Sequence, residues 1–466
     1  MTASRTPALL LMAEYNGTLA AARCLSDHGV PVVIATSRLL APSRWSRAVL
    51  RVESCPGFDE GPDRLAEWLI AYGASHEKHV LYPTCDEMAW LLAHFHSELS
   101  EHFFMYSPRG ETLRTLLDKR HLYAAAAAAG LGTPRTWNPQ SEHELAGILE
   151  QVEACLVKPR SQTFFKTQAK GGHATTLSQL TTLWRKYRDA GYAAGVTREI
   201  ADLDFPMIQE YLPQAASAVT SISGFAIRSG RIIDTRASLK VLQFPRRAGV
   251  GLCFENAAVD PLLVERLASL CGSIGYHGVF EAEFIRHEGR DLLIDFNPRY
   301  FGQIGFDIAR GMHLPWLAQL CAVGDEKAAE LFAPAPASSP VPSYHADSIA
   351  LRWHLAIGTL FGTVRDSERR KWLAWLAARP DRFVDAILHP GDMVPAVASA
   401  VGRFWHVIRH PRGFWRSRHT APRSDPGATS VHRALGGAIR RRVMWRALAV
   451  SLAVVVLGMV VRAAMA

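Results

Sequence analysis

Acidic and amide side chains cluster in two neighbouring segments of the second half of the chain. Glu281 and Glu283 alternate in the run GVFEAEFI, and Asp295 and Asn297 alternate in LLIDFN, with HEGR between the runs. Because side chains alternate along a strand, a hairpin that turns at HEGR places all four on one face. Hard oxygen ligands of this kind suit Mg²⁺, which bridges the phosphates of nucleotides. Without a cation the neighbouring carboxylates would repel each other.

Two further charged residues each allow a functional and a structural interpretation. Arg299 stands two residues after Asn297, so its guanidinium joins the same face. The structural alternative is a cross-strand salt bridge with Glu283. Asp86 follows the β-rich run VLYP. It is either a residue near the carboxyl end of a parallel strand, where ligands bind, or a helix N-cap, and the sequence leaves both open.

Lysines and glycines in the middle of the chain predict contacts to phosphate groups. Lys158 lies near the end of the apolar run CLVK, and a polar loop at 161–173 contains Lys170 beside Gly171 and Gly172. Glycine gives such a loop backbone freedom and lysine supplies positive charge. The loop is therefore predicted to close over phosphates.

The elements that must position these residues begin with a parallel sheet. Apolar runs at 7–13 and 32–35 flank a segment with helical spacing at 17–28, which predicts a βαβ unit. Its first turn, EYNG, lacks the glycine fingerprint GxGxxG, so a dehydrogenase is poorly supported. Glu14 and Asn16 interrupt the first apolar run, which indicates a buried strand and not a signal peptide. A second hairpin is predicted from 221–227 and 231–234.

The net charge of +9 belongs to a C-terminal tail. The segment 403–446 contains eleven arginines, no lysine and one acid, so the rest of the chain is near neutral. Such a tail can bind nucleic acid or an anionic membrane. No aromatic-lined domain accompanies it, which disfavours nucleic acid. The seven cysteines are odd in number and include no CxxC pair. They predict reduced thiols, with neither a disulfide framework nor a zinc site.

An uncharged run at 447–461, ALAVSLAVVVLGMVV, follows the arginines and predicts one transmembrane helix over 447–466. Trp445 and the cluster of Arg440, Arg441 and Arg442 precede it, as expected at a bilayer edge, and the cations predict that this side is cytoplasmic. Arg462 can snorkel to the interface. A buried core helix is the alternative. We therefore expect a single-pass protein of the cell membrane with a cytoplasmic body.

Five segments resemble the ATP-grasp superfamily, close to its carbamoyl-phosphate-synthase-like and carboxylate–amine ligase branches. They read DKRHLYAAAAAAGLGTPRTW, LVKPR, IQEYLP, GVFEAEFI and LLIDFNPRYFG, and they follow the family's order over roughly 115–315. The resemblance implies an α/β chain whose ATP-grasp domain is of the α+β type. The predicted parts are a parallel βαβ pre-domain at 1–115, the ATP-grasp domain at 116–330, a helical C-terminal region at 331–402, a basic juxtamembrane segment at 403–446 and the transmembrane helix.

The resemblance also implies a role for individual residues. The implied roles are phosphate contacts by Lys119, Lys158 and Lys170, adenine binding at the hinge of Glu210, Tyr211 and Leu212, Mg²⁺ (or Mn²⁺) ligation by Glu283, Asp295 and Asn297, and catalysis by Lys158 and by Arg299 at the reacting phosphate. Two positions depart from the family. It usually has glutamate where Asp295 stands, and it usually has a ribose-binding acid where 213–217 reads PQAAS.

The activity implied by the resemblance is that of an ATP-dependent ligase. Such enzymes phosphorylate a carboxylate, and an amine or thiol then attacks the acyl phosphate. The expected partners are small-molecule or lipid-linked carboxylate and amine substrates and the membrane, with no nucleic acid. A catalytically degenerate nucleotide-binding scaffold at the membrane is the alternative, because the hinge acid is missing. A nucleotide-dependent carboxylase would need a biotinylated partner, since the chain has no MKM-like biotin site.

Overall fold

A computed structural model describes most of the chain. The described residues are 3–167, 171–192, 200, 202–213, 219–244, 250–333, 343–345, 348, 351–352, 355, 364–378 and 383–409. Lys170, most of the basic segment 403–446 and the predicted transmembrane helix 447–466 lie outside them. Among the described residues, no helix combines the length and the apolar character needed to cross a membrane.

The N-terminal part of the chain forms a parallel sheet covered by helices. Its strands are Ala8–Leu10 (β1), Val32–Ala35 (β2), Arg51–Glu53 (β3), His79–Leu81 (β4) and Phe103–Met105 (β5), in the order β3-β2-β1-β4-β5. Its helices are Asn16–Asp27 (α1), Pro62–Ser75 (α2), Asp86–His94 (α3) and His96–His102 (α4). The residues of β1, β2 and β4 are buried, as parallel strands with covered faces require. The predicted βαβ start is confirmed.

The strand order reverses at β1. The chain adds β2 and β3 on one side of it and then β4 and β5 on the other. Ligands of open parallel sheets bind in the crevice at the carboxyl ends of the strands beside such a reversal. Asp86, the first residue of α3, follows β4 at this edge.

A small antiparallel sheet follows two connecting helices, Gly110–Leu117 (α5) and Lys119–Ala128 (α6). Its strands are Thr136–Trp137 (β6), Cys155–Lys158 (β7), Gly172–Ala174 (β8) and Met207–Glu210 (β9), in the order β6-β9-β7-β8. Helices Leu145–Leu149 (α7) and Leu177–Ala190 (α8) cover it. Cys155 and Val157 of β7 pack into that core with Trp184. Lys158 therefore points to the other face, because side chains alternate along the strand.

In the part of the chain that the structure describes, the largest sheet has seven strands. They are Val219–Ala226 (β10), Ile232–Phe244 (β11), Val250–Ala257 (β12), Gly278–His287 (β13), Arg290–Asn297 (β14), Ser343–His345 (β15) and Phe383–Asp385 (β16), in the order β14-β13-β10-β11-β12-β15-β16. Helix Pro261–Ile274 (α9) and α6 cover one face. Phe280, Ala282 and Phe296 pack there, so the acidic residues that alternate with them lie on the opposite face.

Both predicted hairpins are present. β10 pairs with β11, and β13 pairs with β14, in antiparallel register. Glu288 and Gly289 turn the second hairpin with φ values of 48° and 76°, the left-handed conformation that a tight two-residue turn requires. Gly230 turns the first hairpin with φ +81°, and a Cβ there would lie 2.5 Å from the Gly272 Cα. Only glycine fits that position without a shift of the backbone.

The prediction for 331–402 needs correction. The segments after β14 include the helices Ile304–Ala309 (α10), Leu314–Ala322 (α11), Glu326–Phe332 (α12), Asp366–Ala377 (α13) and Val394–Arg409 (α14). The region predicted to be helical also supplies β15 and β16, which extend the large sheet. These strands have three residues each, which is too short to show a period-two pattern in the sequence.

Candidate active site

The side chains predicted to share one face of the β13–β14 hairpin do so. Glu283 lies directly opposite Asp295, and Glu281 lies opposite Asn297. The Asn297 Nδ2 donates a hydrogen bond to Glu281 Oε2 at 3.1 Å, and Gln303 donates to the other oxygen of Glu281. Glu281 is only 2% exposed. Three carboxylates and one amide thus converge at the end of the hairpin.

Lysines from three other elements surround these carboxylates. Lys119, the first residue of α6, donates to Asp295. Lys240 of β11 donates to Glu283 Oε1 at 2.8 Å. Lys158, the last residue of β7, lies close enough that Lys119, Asp295 and Glu283 all affect its pKa. Two of the three predicted phosphate-binding lysines therefore meet the predicted metal ligands, and Lys170 lies outside the described residues.

The start of α6 is held in place by a buried ion pair. The Asp118 side chain accepts from the backbone N–H of Arg120 at 3.1 Å and so caps the helix. Arg160, two residues after Lys158, donates through its Nε to the same carboxylate at 3.0 Å. Asp118 is fully buried and Arg160 is 2% exposed. This pair ties the end of β7 to the start of α6 and keeps Lys119 near Lys158.

Crowding of charge shifts the pKa values of the site in both directions. Burial, and then the positive charge of Lys119, lower the pKa of Lys158 to about 7. Burial, and then the charge of Glu283, raise the pKa of Glu281 to about 7. Burial also works against the charged form of Lys119, but the attraction of Asp295 outweighs it and raises the pKa of Lys119. Lys158 and Glu281 are thus the groups whose charge changes near neutral pH.

Arg299 joins the hairpin to the parallel sheet. Its Nε donates to Asp86 Oδ1 at 2.7 Å and one Nη donates to Asp86 Oδ2 at 3.2 Å. The same Nη donates to Asn297 Oδ1 at 2.8 Å. Burial disfavours the charged guanidinium, but Asp86 outweighs it and raises the pKa of Arg299. The alternative of a salt bridge with Glu283 is wrong, because the bidentate partner of Arg299 is Asp86 of α3, and Glu283 pairs with Lys240.

Asp86 is not the N-cap of α3. The N-cap is Cys85, whose Sγ accepts from the backbone N–H of Met88 at 3.3 Å. Asp86 is the next residue, and its carboxylate is directed to Arg299. The N-cap interpretation is therefore wrong, and Asp86 contributes to the site at the edge where the strand order reverses.

The predicted hinge follows β9. The backbone N–H of Tyr211 donates to the Ala154 carbonyl at 3.0 Å, and Leu212 packs in a small cluster with Val219 and Ile285. The Glu210 side chain accepts from the backbone N–H of Arg135 at 3.3 Å. These contacts fix the hinge between the small sheet and β10. Adenine binding at the hinge stays a prediction.

A second link joins the hinge strand to the carboxylates. Gln209 of β9 donates to the Tyr123 hydroxyl at 2.9 Å, and that hydroxyl donates to the Ile294 carbonyl at 3.1 Å. Ile294 directly precedes Asp295. The small sheet, α6 and β14 are therefore connected by hydrogen bonds within one residue of the carboxylate cluster.

Sequence reasoning assigned no role to Lys240 or Gln303. A signal for Lys240 exists, since Asp234, Arg236, Ser238 and Lys240 place polar side chains at every second position of β11, the pattern of a strand with one polar face. Gln303 carries no such signal, because it lies in an irregular segment and reaches Glu281 only through the fold.

The residues present fit a divalent cation. The donor set of Glu283, Asp295 and Asn297 offers carboxylate and amide oxygens, the ligands that Mg²⁺ prefers. The raised pKa of Glu281, caused by burial and by Glu283, indicates excess negative potential that a cation would relieve. In the structure, the ammonium group of Lys119 pairs with Asp295 and that of Lys240 pairs with Glu283.

Comparisons with known proteins agree on the fold. No protein-family model and no curated protein sequence matches the chain. The structure is similar to an L-amino acid ligase from Bacillus licheniformis, with 12% identity, a TM-score of 0.53 and coverage of 71% of this chain and 78% of that chain. It is similar to a biotin carboxylase from Campylobacter jejuni in complex with beta-gamma-ATP, with 13% identity, a TM-score of 0.54 and coverage of 72% and 73%.

A third similar structure is the biotin carboxylase domain of the 2-oxoglutarate carboxylase from Hydrogenobacter thermophilus, which contains MgADP and bicarbonate. It is 14% identical, with a TM-score of 0.52 and coverage of 69% of this chain and 70% of that chain. The chain therefore has the ATP-grasp fold.

Proposed function

We propose that this chain is an ATP- and Mg²⁺-dependent ligase that activates a carboxylate as an acyl phosphate for attack by an amine or a thiol. The observation that carries the proposal is the convergence of Lys119, Lys158 and Lys240 on Glu283 and Asp295. Such a cluster suits a metal–triphosphate complex, because the ammonium groups can pair with the phosphates and the carboxylates can pair with the metal.

Each group has a defined task in the proposed reaction. Glu283 and Asp295 would hold Mg²⁺, whose charge would reduce the repulsion between the phosphates and the incoming carboxylate. Lys158 and Lys119 neutralise charge on the transferring phosphoryl group. Arg299, oriented by Asp86, stabilises the negative charge of the acyl phosphate. The chain itself forms no covalent bond with the substrate.

The atoms balance in two steps. The carboxylate oxygen bonds to the γ-phosphorus and ADP leaves, which gives the acyl phosphate. The amine nitrogen then bonds to the carbonyl carbon, the C–O bond to phosphate breaks, and the amine loses a proton. One oxygen of the original carboxylate leaves with inorganic phosphate. A nucleotide-dependent carboxylase that uses bicarbonate, or a simple ATPase, would not transfer oxygen from an organic acid to phosphate.

The test is an oxygen-tracing experiment. Purified full-length protein is supplied with ATP, Mg²⁺ and panels of ¹⁸O-labelled carboxylic acids and amines, and phosphate is analysed by mass spectrometry. We expect ADP formation that depends on a particular acid–amine pair and carries ¹⁸O into phosphate. ATP binding without turnover by any pair would favour the degenerate scaffold, an alternative motivated by the missing acid in 213–217.

We further propose that the segment 447–466 anchors the chain in the cell membrane with its folded body in the cytoplasm. The uncharged run 447–461 and the three arginines that precede it support this proposal. Such an anchor would suit a substrate that is itself lipid-linked or lies at the membrane surface. Small water-soluble acids and amines remain compatible with the site.

A further inference from the structure

A second cluster of ligating side chains lies away from the carboxylates, where α1 meets the segment before α11. Ligand atoms of Cys24, His28 and His313 lie within 4.8 Å of one another. Cys24 lies in the last turn of α1, and His28, four residues later, is the C-cap of that helix. His313 directly precedes α11. The fold thus brings a thiol and two imidazoles together from distant parts of the chain.

The orientation of the His28 ring is fixed. Its Nδ1 lies 2.8 Å from the backbone carbonyl oxygen of Cys24. A carbonyl oxygen only accepts, so this Nδ1 carries the proton and Nε2 carries the lone pair. A backbone carbonyl that holds the distal nitrogen of a ligand histidine is the usual support of protein metal sites.

The two imidazoles have the spacing of ligands on one tetrahedral ion. His28 Nε2 lies 3.3 Å from His313 Nδ1. Two nitrogens bound to one zinc ion at the usual bond length are separated by about 3.3 Å. A hydrogen bond between the rings has a similar length, so the distance alone does not separate the two cases. The buried Cys24 thiol lies beside both rings. A metal site accounts for all three side chains, whereas a hydrogen bond between the rings accounts for only two.

Aromatic side chains support the histidine rings. Trp316 stacks on His28 with a centroid distance of 4.8 Å, and Phe332 contacts it edge-on at 5.5 Å. Cys24 is 2% exposed, and burial raises the pKa of its thiol to about 12. His28 and His313 are only half-buried, which leaves a path for an ion from the surface.

We propose that Cys24, His28 and His313 form a transition-metal site of the Zn²⁺ class, with solvent as the fourth ligand. Thiolate and imidazole favour Zn²⁺ over Mg²⁺, so this site is chemically distinct from the carboxylate cluster. On binding, the Cys24 thiol releases its proton to solvent and the sulfur bonds to the metal. The ion would clamp the end of α1 to the start of α11.

The experiment uses Co²⁺ as a spectroscopic probe of the full-length protein in detergent, with excess Mg²⁺ to occupy oxygen sites. We expect one equivalent of Co²⁺ to produce a thiolate-to-cobalt charge-transfer band and a rise in Tm. Cys24→Ala should abolish the band. His28→Asn and His313→Gln should each weaken Co²⁺ binding by at least about tenfold. Cys271→Ala, which removes a buried thiol of α9, is the matched control and should keep the band.

The outcomes separate the metal site from a hydrogen-bonded histidine pair. Absence of the band in the unmodified chain, or its persistence in Cys24→Ala, overturns the proposal. Loss of the band in Cys24→Ala with unchanged affinity in both histidine variants also overturns it, because the three residues would not act together. If Cys24→Ala proves unstable, the variants His28→Asn and His313→Gln still test the proposal. A melting curve of each variant shows whether it is folded.

Discussion

At the scale of single residues, the site concentrates charge that burial makes costly. Glu281 is 2% exposed and Lys119 is 9% exposed. Charged groups so deeply placed persist only when partners offset their desolvation, and here Gln303, Asn297 and Asp295 do so. The arrangement suits a highly charged ligand better than it suits stability alone. Phosphates would pair with the lysines, and a cation would pair with the carboxylates.

The pKa of Lys158 predicts proton uptake on nucleotide binding. Burial and the charge of Lys119 lower it to about 7, so near pH 8 the free side chain is mostly neutral. Phosphate contact would raise the pKa again, and the complex would take up a proton. Calorimetry in buffers of different ionisation enthalpy should show this uptake, and ATP affinity should fall as the pH rises above about 7. The uptake should disappear in Lys158→Met.

Lys158→Ala tests the same residue in catalysis. We expect turnover to fall by at least about a hundredfold, because a charge that stabilises the transferring phosphoryl group is lost, while the melting temperature changes little. Lys186→Ala, an exposed lysine of α8, is the control and should leave turnover unchanged. Normal activity in Lys158→Ala would remove the ATP site as described.

Asp295→Asn tests the metal site. Loss of a carboxylate ligand should cost at least about tenfold in rate, roughly 1.4 kcal/mol, and should raise the Mg²⁺ concentration needed for half-maximal activity. Asp295 also accepts from Lys119, so a purely structural role would lower stability and leave the Mg²⁺ titration unchanged. A melting curve and a metal titration on the same sample distinguish the two roles.

At the scale of elements, the site depends on the contact between α3 and the end of β14. Asp86 and Arg299 make two hydrogen bonds across that contact. We expect Asp86→Asn to lower kcat by about tenfold to a hundredfold, because the guanidinium loses its orientation, with little change in the KM for ATP. Glu98→Gln, an exposed carboxylate of α4, is the control.

The Asp86 prediction has a double-variant check. If Asp86 acts only through Arg299, combining Asp86→Asn with Arg299→Lys should cost no more than Arg299→Lys alone. Additive losses would show that Asp86 has an independent role, and an unchanged kcat in Asp86→Asn would show that the contact is structural.

The local sequence pattern predicts the hairpin, but it does not predict the contacts between residues that are far apart in the chain. The alternation of Glu281 with Glu283 and of Asp295 with Asn297 determines one shared face, and the register confirms it. The partnership of Asp86 with Arg299 joins residues 213 positions apart, which no periodicity reports. The carboxylate cluster was therefore foreseen, whereas the groups that orient Arg299 were not.

At the scale of the whole molecule, the parallel sheet and the large sheet pack against one shared hydrophobic core. Residues of β1, α1 and the segment after Arg299 share one hydrophobic core, and Gly17 approaches the Phe301 carbonyl so closely that a Cβ would lie 2.8 Å from its oxygen. The segment that carries Arg299 is thus packed against the parallel sheet. This packing explains why the N-terminal part, which supplies Asp86 to the cluster, belongs to the site.

The predicted anchor can be tested on the whole chain. The uncharged run 447–461 follows Arg440, Arg441 and Arg442, so we expect full-length protein to resist extraction from membranes by alkaline carbonate and by high salt. About 20 apolar residues in a bilayer bind far more strongly than surface charge does.

Truncation after Thr429 should release a body that keeps ATP turnover on water-soluble substrates. Neutralising the three arginines in the full chain should leave carbonate resistance intact but change the orientation, as protease protection of vesicles would report. Extraction of the full chain by carbonate or salt would instead identify the tail as a peripheral basic patch.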